Sequence, residues 1–170
     1  LLSFLEIGQD GSVNVSKLAL RPHITAGCGG FVDITARARR MVFSGYFRAG
    51  GIALDARDGG MRIVREGRHG KLVPTVEQVT FNGARALAEG RQALYVTERC
   101  VLELRPAGLT VIELAPGVDL NRDVLAQAGF ALQVADDLRP MDSRLFRPEP
   151  MRLALPENPR RASLERAVAD

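Results

Sequence analysis

A glycine-rich turn set directly before a short amphipathic segment is the feature that most constrains the fold of this chain. Three of the four residues Gly27 to Gly30 are glycines, and apolar residues then recur at helical spacing up to residue 40. The segment ends in three arginines, which are favoured at a helix C-terminus. Met41 to Ser44 then forms a compact apolar run typical of a buried strand. A glycine loop followed by a helix and a strand predicts an α/β fold.

The remaining pattern predicts further α/β structure and one antiparallel hairpin. Strands are predicted at 1–7, 13–16, 61–65, 78–81 and 92–96, helices at 31–40, 83–89 and 120–128, and hairpin arms at 101–105 and 109–114. Asp119 can cap the helix that begins at 120, and Gly129 can stop it. Five prolines from Pro140 onward argue against packing, so we expect an extended or disordered tail with at most a helical turn in 162–169.

Composition and charge exclude several classes of protein. The chain has 170 residues, 46% of them apolar and 25% charged, which is enough for one core. It contains no apolar run of about 18 residues, and its first residues lack the layout of a signal peptide. The net charge of +3 is spread without blocks of like charge, and no aromatic platform accompanies it. We therefore expect neither a membrane protein nor a nucleic-acid-binding protein.

Two further observations bear on the origin of the chain. Cys28 and Cys100 are too few for a disulfide framework, which favours a reducing cytoplasm. The chain starts at Leu1 inside an apparent strand. We expect that it begins partway through a longer polypeptide.

The glycine turn has two interpretations when it is taken alone. Without Cβ atoms its backbone can adopt positive φ and let a ligand approach its amides, and an anion is the ligand that such amides favour. That anion could be a phosphate or the developing oxygen of an acyl-transfer intermediate. The turn matches neither the Walker pattern nor the dinucleotide fingerprint. A tight structural turn therefore remains the alternative to a ligand loop.

The other chemically active residue types indicate no site by their spacing. His23 and His69 have no metal-ligand partners at suitable spacing, so we expect surface histidines and no metal. Cys28 has no evident histidine partner, which favours a small packed residue over a nucleophile. Several carboxylates lie near turns or strand ends, and their spacing selects none of them as catalytic.

Seven collinear blocks resemble the family I coenzyme A transferases, of the acetate/3-oxoacid type. The blocks are DGSVNVS (10–16), AGCGGFVDI (26–34), RMVF through AGG (40–51), VEQVTF (76–81), LYVTERCVLEL (94–104), GLTVIELAPGVD (108–119) and DLRPMD (137–142). The resemblance implies an open, mostly parallel sheet flanked by helices with an antiparallel hairpin. It also implies that residues 1–147 are the C-terminal, beta-type domain, incomplete at its start, and that 148–170 are a Pro/Arg-rich tail.

The resemblance also implies a reaction and its nucleophile. In this family a glutamate attacks the acyl-CoA thioester, forms an acyl anhydride and then a glutamyl-CoA thioester, and CoA passes to an acceptor carboxylate. That glutamate stands in a Glu-X-Gly motif upstream of the matching segment, and so it lies outside this chain. Glu6 falls where the family has a small structural residue, and Glu157 lies in the tail before Asn158 and Pro159. We reject both as the nucleophile.

Carried over residue by residue, the family pattern assigns the glycine loop to the active site. The amides of Gly30 and Phe31 would be oxyanion donors, and Gly29 would allow close approach. Asn14 and Gly27 are weaker candidates for the same pocket. Glu98, within the Thr-Glu-Arg sequence, is interpreted as a charged strand end.

We therefore expect part of a CoA-transferase whose substrates are an acyl-CoA and a short-chain carboxylate. Its partners would be the N-terminal remainder of the enzyme and further copies in a homo-oligomer, with no permanently bound cofactor. The segment alone should be inactive. One alternative is a non-catalytic module that binds acyl-CoA or phosphate. A sugar-phosphate isomerase is less favoured, since the Thr-Glu-Arg hairpin would have no role there.

Overall fold

The computed structural model describes residues 1–18 and 26–154. Its strands and helices are β1 (Leu2–Ser3), β2 (Glu6–Gly8), β3 (Val13–Asn14), α1 (Phe31–Arg37), β4 (Arg40–Ser44), β5 (Arg48–Ala49), β6 (Ala53–Arg57), β7 (Gly60–Arg65), β8 (His69–Gly70), β9 (Leu72–Val73), α2 (Gly83–Ala88), β10 (Gln92–Val96), β11 (Cys100–Arg105), β12 (Gly108–Leu114) and β13 (Gln133–Pro140). The predicted α/β class is confirmed.

A six-stranded mixed sheet in the order β1-β4-β10-β11-β12-β13 forms the centre of the molecule. The pairs β1–β4, β4–β10 and β12–β13 are parallel, while β10–β11 and β11–β12 are antiparallel. Three short strands form a second sheet in the order β3-β2-β9, and β6 pairs with β7 as a separate hairpin. The parallel strands β1, β4 and β10 therefore end at one common edge, which is where α/β sheets usually bind ligands.

An aromatic cluster connects α1 to the central sheet. The ring of Phe43, near the end of β4, lies 5.8 Å from that of Phe31, 5.4 Å from that of Tyr95 and 5.0 Å from that of Phe81, measured between centroids. All four rings are at most 6% exposed. Because Phe31 is the first residue of α1, these contacts fix the helix N-terminus near the carboxyl end of β4.

Helix α2 starts at a glycine because two backbones meet there. A Cβ on Gly83 would lie 2.4 Å from the carbonyl oxygen of Asp10. The Asn82 side chain caps the helix by accepting from the Arg85 amide at 2.8 Å. The predicted helix 83–89 is thus confirmed, with Gly90 in the left-handed region at φ +67°.

The strands predicted at 61–65 and 92–96 and the two hairpin arms are confirmed. The strand predicted at 1–7 is divided between β1 and β2, which belong to different sheets, and the one at 13–16 is limited to Val13–Asn14.

The strand predicted at 78–81 is wrong. Its only pairing among the described residues is an isolated bridge between Val13 and Phe81. The amides of Thr80 and Phe81 both donate to the Val13 carbonyl, at 2.9 and 3.0 Å. Because both bonds end on one residue, no second residue pair extends the bridge into a strand among the described residues.

The α-helix predicted at 120–128 is also wrong, because the segment forms a π-helical turn at Leu120–Val124 and a 3₁₀ turn at Leu125–Gln127. Asp119 caps it as expected, accepting from the Arg122 amide at 2.7 Å. The first turn then widens into a π-helical turn, since the Leu125 amide also reaches the Leu120 carbonyl, and only a 3₁₀ turn follows. Gly129 serves close approach, because a Cβ there would lie 2.6 Å from the Leu72 carbonyl oxygen.

The prediction that an unpacked tail starts at Pro140 is wrong, because residues beyond this proline are still paired and buried. The Met141 amide donates to the Leu114 carbonyl at 2.8 Å, which continues the β12–β13 pairing past the proline. Met141 and Phe146 are 5% and 8% exposed, and so belong to the core. Strand β13 was not predicted from the sequence, because it lies at an edge of the sheet and most of its residues are exposed and lack an apolar pattern. The helical turn predicted at 162–169 lies outside the described residues.

Candidate functional site

The glycine loop lies open on the surface. Residues 26–30 are all exposed. Among the described residues, a Cβ on Gly27 or Gly29 would meet nothing within 4 Å, and one on Gly30 would meet only Ile34 at 3.8 Å. Gly29 has φ +51°, a conformation that side chains disfavour. Internal packing in the described chain therefore does not require glycine at these positions.

The amide of Phe31 has a hydrogen-bond acceptor within the loop, whereas the amides of Gly29 and Gly30 have none among the described residues. The Phe31 amide donates to the Cys28 carbonyl at 3.0 Å, and the Gly30 carbonyl accepts from Ile34 at 2.9 Å. Among the described residues, no acceptor is hydrogen-bonded to the amides of Gly29 and Gly30. The arrangement can offer two adjacent backbone donors to an incoming oxygen, while the Phe31 amide would first have to leave its internal partner.

Asn14 does not face an open pocket but is fully buried in β3. Its amide nitrogen donates to Glu6 Oε2 at 2.7 Å and to the Lys17 carbonyl. Its oxygen accepts from the amides of Ser16, at 3.0 Å, and Lys17, at 3.2 Å. Every hydrogen-bonding position of this side chain is occupied within the chain.

Glu98 is part of a buried ion cluster and is more than a charged strand end. Its carboxylate is 9% exposed and accepts from the Phe47 amide at 2.8 Å and from Arg99 Nε at 2.7 Å. Arg99 is fully buried, forms a fork with both Glu66 oxygens at 2.8 and 2.9 Å, and donates to the Asp123 carbonyl. We call Arg99, Glu98, Glu66 and Phe47 the Arg99 cluster.

Electrostatics in the Arg99 cluster favour the ionised pair. Burial acts to raise the pKa of Glu66, but hydrogen bonds from Arg99 and the Gly67 amide outweigh it and hold that pKa below its usual value. The Arg99 guanidinium also lies 4.8 Å from the Phe47 ring centroid. All of these polar groups are satisfied internally, so the cluster organises the fold.

Lys71 is a half-buried cation that sequence reasoning missed. Its ammonium donates to the Phe4 carbonyl at 2.7 Å and lies 4.1 Å from the Phe4 ring centroid. Burial lowers its pKa to about 8, although the charge of Glu98 opposes the shift. The ammonium adjoins Gly45, where it would be 3.3 Å from an added Cβ. A lone lysine between Gly70 and Leu72 gives no sequence signal of this environment.

A cleft of about 390 Å³ opens at the carboxyl ends of β4 and β10. Its lining residues are Ser44, Gly45, Tyr46, Val96, Thr97 and Glu98. The cleft and the N-terminus of α1 thus both lie toward the carboxyl edge of the parallel strands.

The remaining candidate residues have simpler environments. Cys28 is exposed, so its interpretation as a packed residue is wrong. Cys100 is buried, which raises its pKa to about 12. His69 is exposed as expected, and His23 lies outside the described residues.

Residues 1–18 and 26–154 contain no group of three or more His, Cys, Asp or Glu side chains placed to hold a metal ion. No helix in the same ranges has the length and apolar character needed to cross a membrane.

Sequence comparison finds related enzymes. Over 92% of its length the chain is 40% identical to the acetate CoA-transferase YdiF of Escherichia coli (strain K12), of which it spans 29%. Over 86% of its length it is 44% identical to the caffeate CoA-transferase of Acetobacterium woodii, of which it spans 28%. No protein-family model matches the chain. The chain thus spans less than a third of the relatives that it matches.

Structural comparison agrees with the sequences. The fold superimposes with a TM-score of 0.86 on the crystal structure of the acyl-CoA transferase YdiF of Escherichia coli O157:H7 in a thioester complex with CoA. The identity is 40%, and the match covers 92% of this chain and 30% of that one.

Proposed function

Since this chain is homologous over nearly all of its length to a segment of the coenzyme A transferases, we propose that it supplies one wall of a CoA-transferase active site. The intact enzyme would move CoA between an acyl-CoA and a short-chain carboxylate. This segment would be its C-terminal part, and the glutamate that carries the acyl group and then CoA would come from outside the chain. The open glycine loop is the observation that carries the proposal.

The loop would act as the oxyanion site of the glutamyl thioester. Gly29 and Gly30 are exposed, and among the described residues their amides have no hydrogen-bond partners and their Cβ positions are nearly empty. Backbone donors aimed at a developing negative charge stabilise an acyl-transfer intermediate without reorganisation. Phe31 would join them only if its amide exchanged the Cys28 carbonyl for the substrate oxygen. Its buried ring would meanwhile hold the loop in place.

Neither Glu6 nor Glu98 is suited to be the nucleophile. Glu6 Oε2 already accepts from Asn14 and from the Glu77 amide at 3.1 Å, which supports a structural role. Glu98 is bound to Arg99. The chain alone should therefore give no CoA transfer from acetoacetyl-CoA to acetate. Turnover by this segment would mean that it contains the nucleophile after all.

The finer assignments follow the same resemblance. Acetyl- or 3-oxoacyl-CoA would be the donor, as in ketone-body and short-chain fatty acid metabolism, and the enzyme would be a cytoplasmic homo-oligomer with no permanent cofactor. The names of the relatives, acetate and caffeate CoA-transferase, support a carboxylate acceptor. The apolar side chains of Val32, Ile34 and Tyr46 are exposed, and the remainder of the enzyme would cover them.

A matched pair of glycine variants tests the loop in the full-length enzyme. Gly29 and Gly90 both have positive φ, and an added Cβ would meet nothing within 4 Å at either position. Gly29→Ala and Gly90→Ala should therefore cost similar stability. Only Gly29→Ala should lower kcat/KM for transfer from acetoacetyl-CoA to acetate, by about 10-fold or more, because its methyl group obstructs the donors.

Calorimetry with CoA separates catalysis from simple binding. Gly30→Val should weaken CoA binding if the loop touches the ligand. Unchanged affinity in Gly30→Val, together with equal kinetics in the Gly29 and Gly90 variants, would remove the loop from the site. CoA binding without transfer by the full-length protein would favour the non-catalytic binding module.

A further inference from the structure

The saturated side chain of Asn14 and the glycine loop are joined by a short chain of hydrogen bonds. Asn14 accepts from the amides of Ser16 and Lys17 and donates to the Lys17 carbonyl, which holds residues 14–17 in one compact turn. The Ser16 carbonyl then accepts from the Ala26 amide at 2.8 Å. Ala26 is the residue immediately before Gly27. The turn that Asn14 organises therefore anchors the start of the glycine loop.

The anchor uses the Ser16 backbone and not its side chain. The Ser16 hydroxyl is buried, and no hydrogen-bond partner for it exists in the described part of the chain. The position of the Ser16 carbonyl thus depends on the backbone conformation of the turn. Asn14 sets that conformation, since its side-chain oxygen accepts both successive amides.

Glu6 fixes the orientation of the Asn14 amide. The two residues face each other across the antiparallel pair of β2 and β3. A carboxylate can only accept a hydrogen bond, so the contact at 2.7 Å requires the nitrogen of Asn14 to point toward Glu6. The oxygen is thereby directed to the amides of the turn. Glu6 also accepts from the Glu77 amide, which ties the pair to the segment after β9.

We propose that Asn14, oriented by Glu6, is a positioning residue that holds the start of the glycine loop. The proposal rests on the proposed role of that loop in CoA transfer. Asn14 acts through Ser16 and Ala26 and does not touch the substrate, because all four of its hydrogen-bonding positions are filled. Its contribution is to keep the loop amides at the place where the oxyanion forms.

Asn14→Asp in the full-length enzyme is the sharpest test. The change keeps the shape and the acceptor of the side chain, but it removes the amide donors and places a second carboxylate against Glu6. We expect kcat to fall about 10- to 100-fold, the effect of misplaced catalytic groups, with little change in KM. Asn82→Asp is the matched control, since Asn82 also accepts from a backbone amide but caps α2, and its kinetics should be unchanged.

A double variant separates positioning from direct contact. In Glu6→Gln/Asn14→Asp the new glutamine can donate to the new aspartate, which restores one hydrogen bond between β2 and β3 with its direction reversed. A positioning role predicts that part of the lost kcat returns, because the contact between residues 6 and 14 is restored while the Lys17 carbonyl still lacks its donor. If no kcat returns although the double variant is as stable as the wild type and the Ala26 amide exchanges as slowly, the Asn14 amide itself serves the reaction and the proposal is wrong.

Hydrogen exchange gives a result that does not depend on activity. The Ala26 amide should exchange faster in Asn14→Asp than in the wild type or in Asn82→Asp. Unchanged exchange at Ala26 overturns the proposal even in an active enzyme, and faster exchange with unaltered kcat overturns its catalytic part. If the wild type transfers no CoA, the proposed function fails, and exchange alone decides whether Asn14 holds the loop. If Asn14→Asp does not fold, Glu6→Gln should show the same changes at smaller size.

Discussion

The glycine loop and the Arg99 cluster are two polar regions of this chain that are built in opposite ways. The loop is exposed, its Cβ positions are nearly empty, and two of its amides lack partners among the described residues. In the Arg99 cluster the guanidinium is fully buried and bound to two carboxylates and a carbonyl. The difference shows which polar groups are available to an outside molecule and which are used by the fold.

The largest effect in this comparison should come from Arg99→Met. The change removes the cation between Glu66 and Glu98, and Glu66 keeps only the longer contact of 3.8 Å to Arg48. Breaking a buried pair in this way costs about 3–5 kcal/mol of unfolding free energy. Urea unfolding followed by circular dichroism measures the loss. Arg85→Met is the control, because Arg85 pairs with Glu89 on the surface, where the two side chains are 75% and 39% exposed, and its removal should leave the urea midpoint nearly unchanged. Equal midpoints for the two variants would place the Arg99 cluster among ordinary surface pairs.

Local patterns in the sequence predicted much of the fold but not this cluster. Strand β4, strand β10 and the β11–β12 hairpin were found because their apolar residues are contiguous. Arg99 and Glu66 are 33 positions apart, and Lys71 reaches Phe4 across 67 positions. Such partners are brought together only by the packed chain.

The candidate site, like the fold, was predicted only in part from the sequence. The glycine spacing and the resemblance indicated that the loop belongs to the site. Only the structure shows that its residues are exposed. The occupied Phe31 amide and the saturated Asn14 side chain depend on turns that have no sequence signature. The helix predicted from Asp119 failed for a related reason, since a correct cap does not determine the hydrogen bonding of the turns that follow it.

A smaller loss of stability should come from Gly83→Ala, because Gly83 is packed against another backbone segment and the loop glycines are not. The Cβ of Gly83→Ala would lie 2.4 Å from the Asp10 carbonyl oxygen and from the Gly11 carbonyl carbon, so α2 or the 10–11 turn must move. We expect a loss of about 1–3 kcal/mol in unfolding free energy, as for other overpacked sites. Urea unfolding again measures it. A midpoint equal to that of the wild type would show that α2 can move away without cost.

The next effect concerns Lys71 and the pH dependence of stability. Burial lowers its pKa in the folded state to about 8, from 10.5. Between these values the unfolded chain binds more protons than the folded one, so stability should rise with pH as Lys71 loses its charge. We expect the wild type to gain about 1 kcal/mol relative to Lys71→Met between pH 8 and pH 10, after allowance for partial exposure.

The difference between the two proteins isolates Lys71 from other groups that titrate nearby. Cys100 acts in the opposite direction, because burial raises the pKa of its thiol and stability falls as the unfolded thiol ionises. That contribution is common to the wild type and to Lys71→Met, and it cancels. Urea unfolding at several pH values gives both curves. Parallel curves would mean that the ammonium of Lys71 is solvated in the folded protein.

The smallest effect on stability should come from Gly27→Ala. An added Cβ there would meet none of the described residues within 4 Å, and the backbone does not require positive φ. The unfolding free energy should change by no more than about 0.5 kcal/mol, as for other surface substitutions. A loss as large as that of Gly83→Ala would show that the loop is packed against part of the chain and would end the contrast with the Arg99 cluster. An unchanged midpoint with weaker CoA binding in the full-length enzyme would instead mean that the space beside Gly27 is kept free for the ligand.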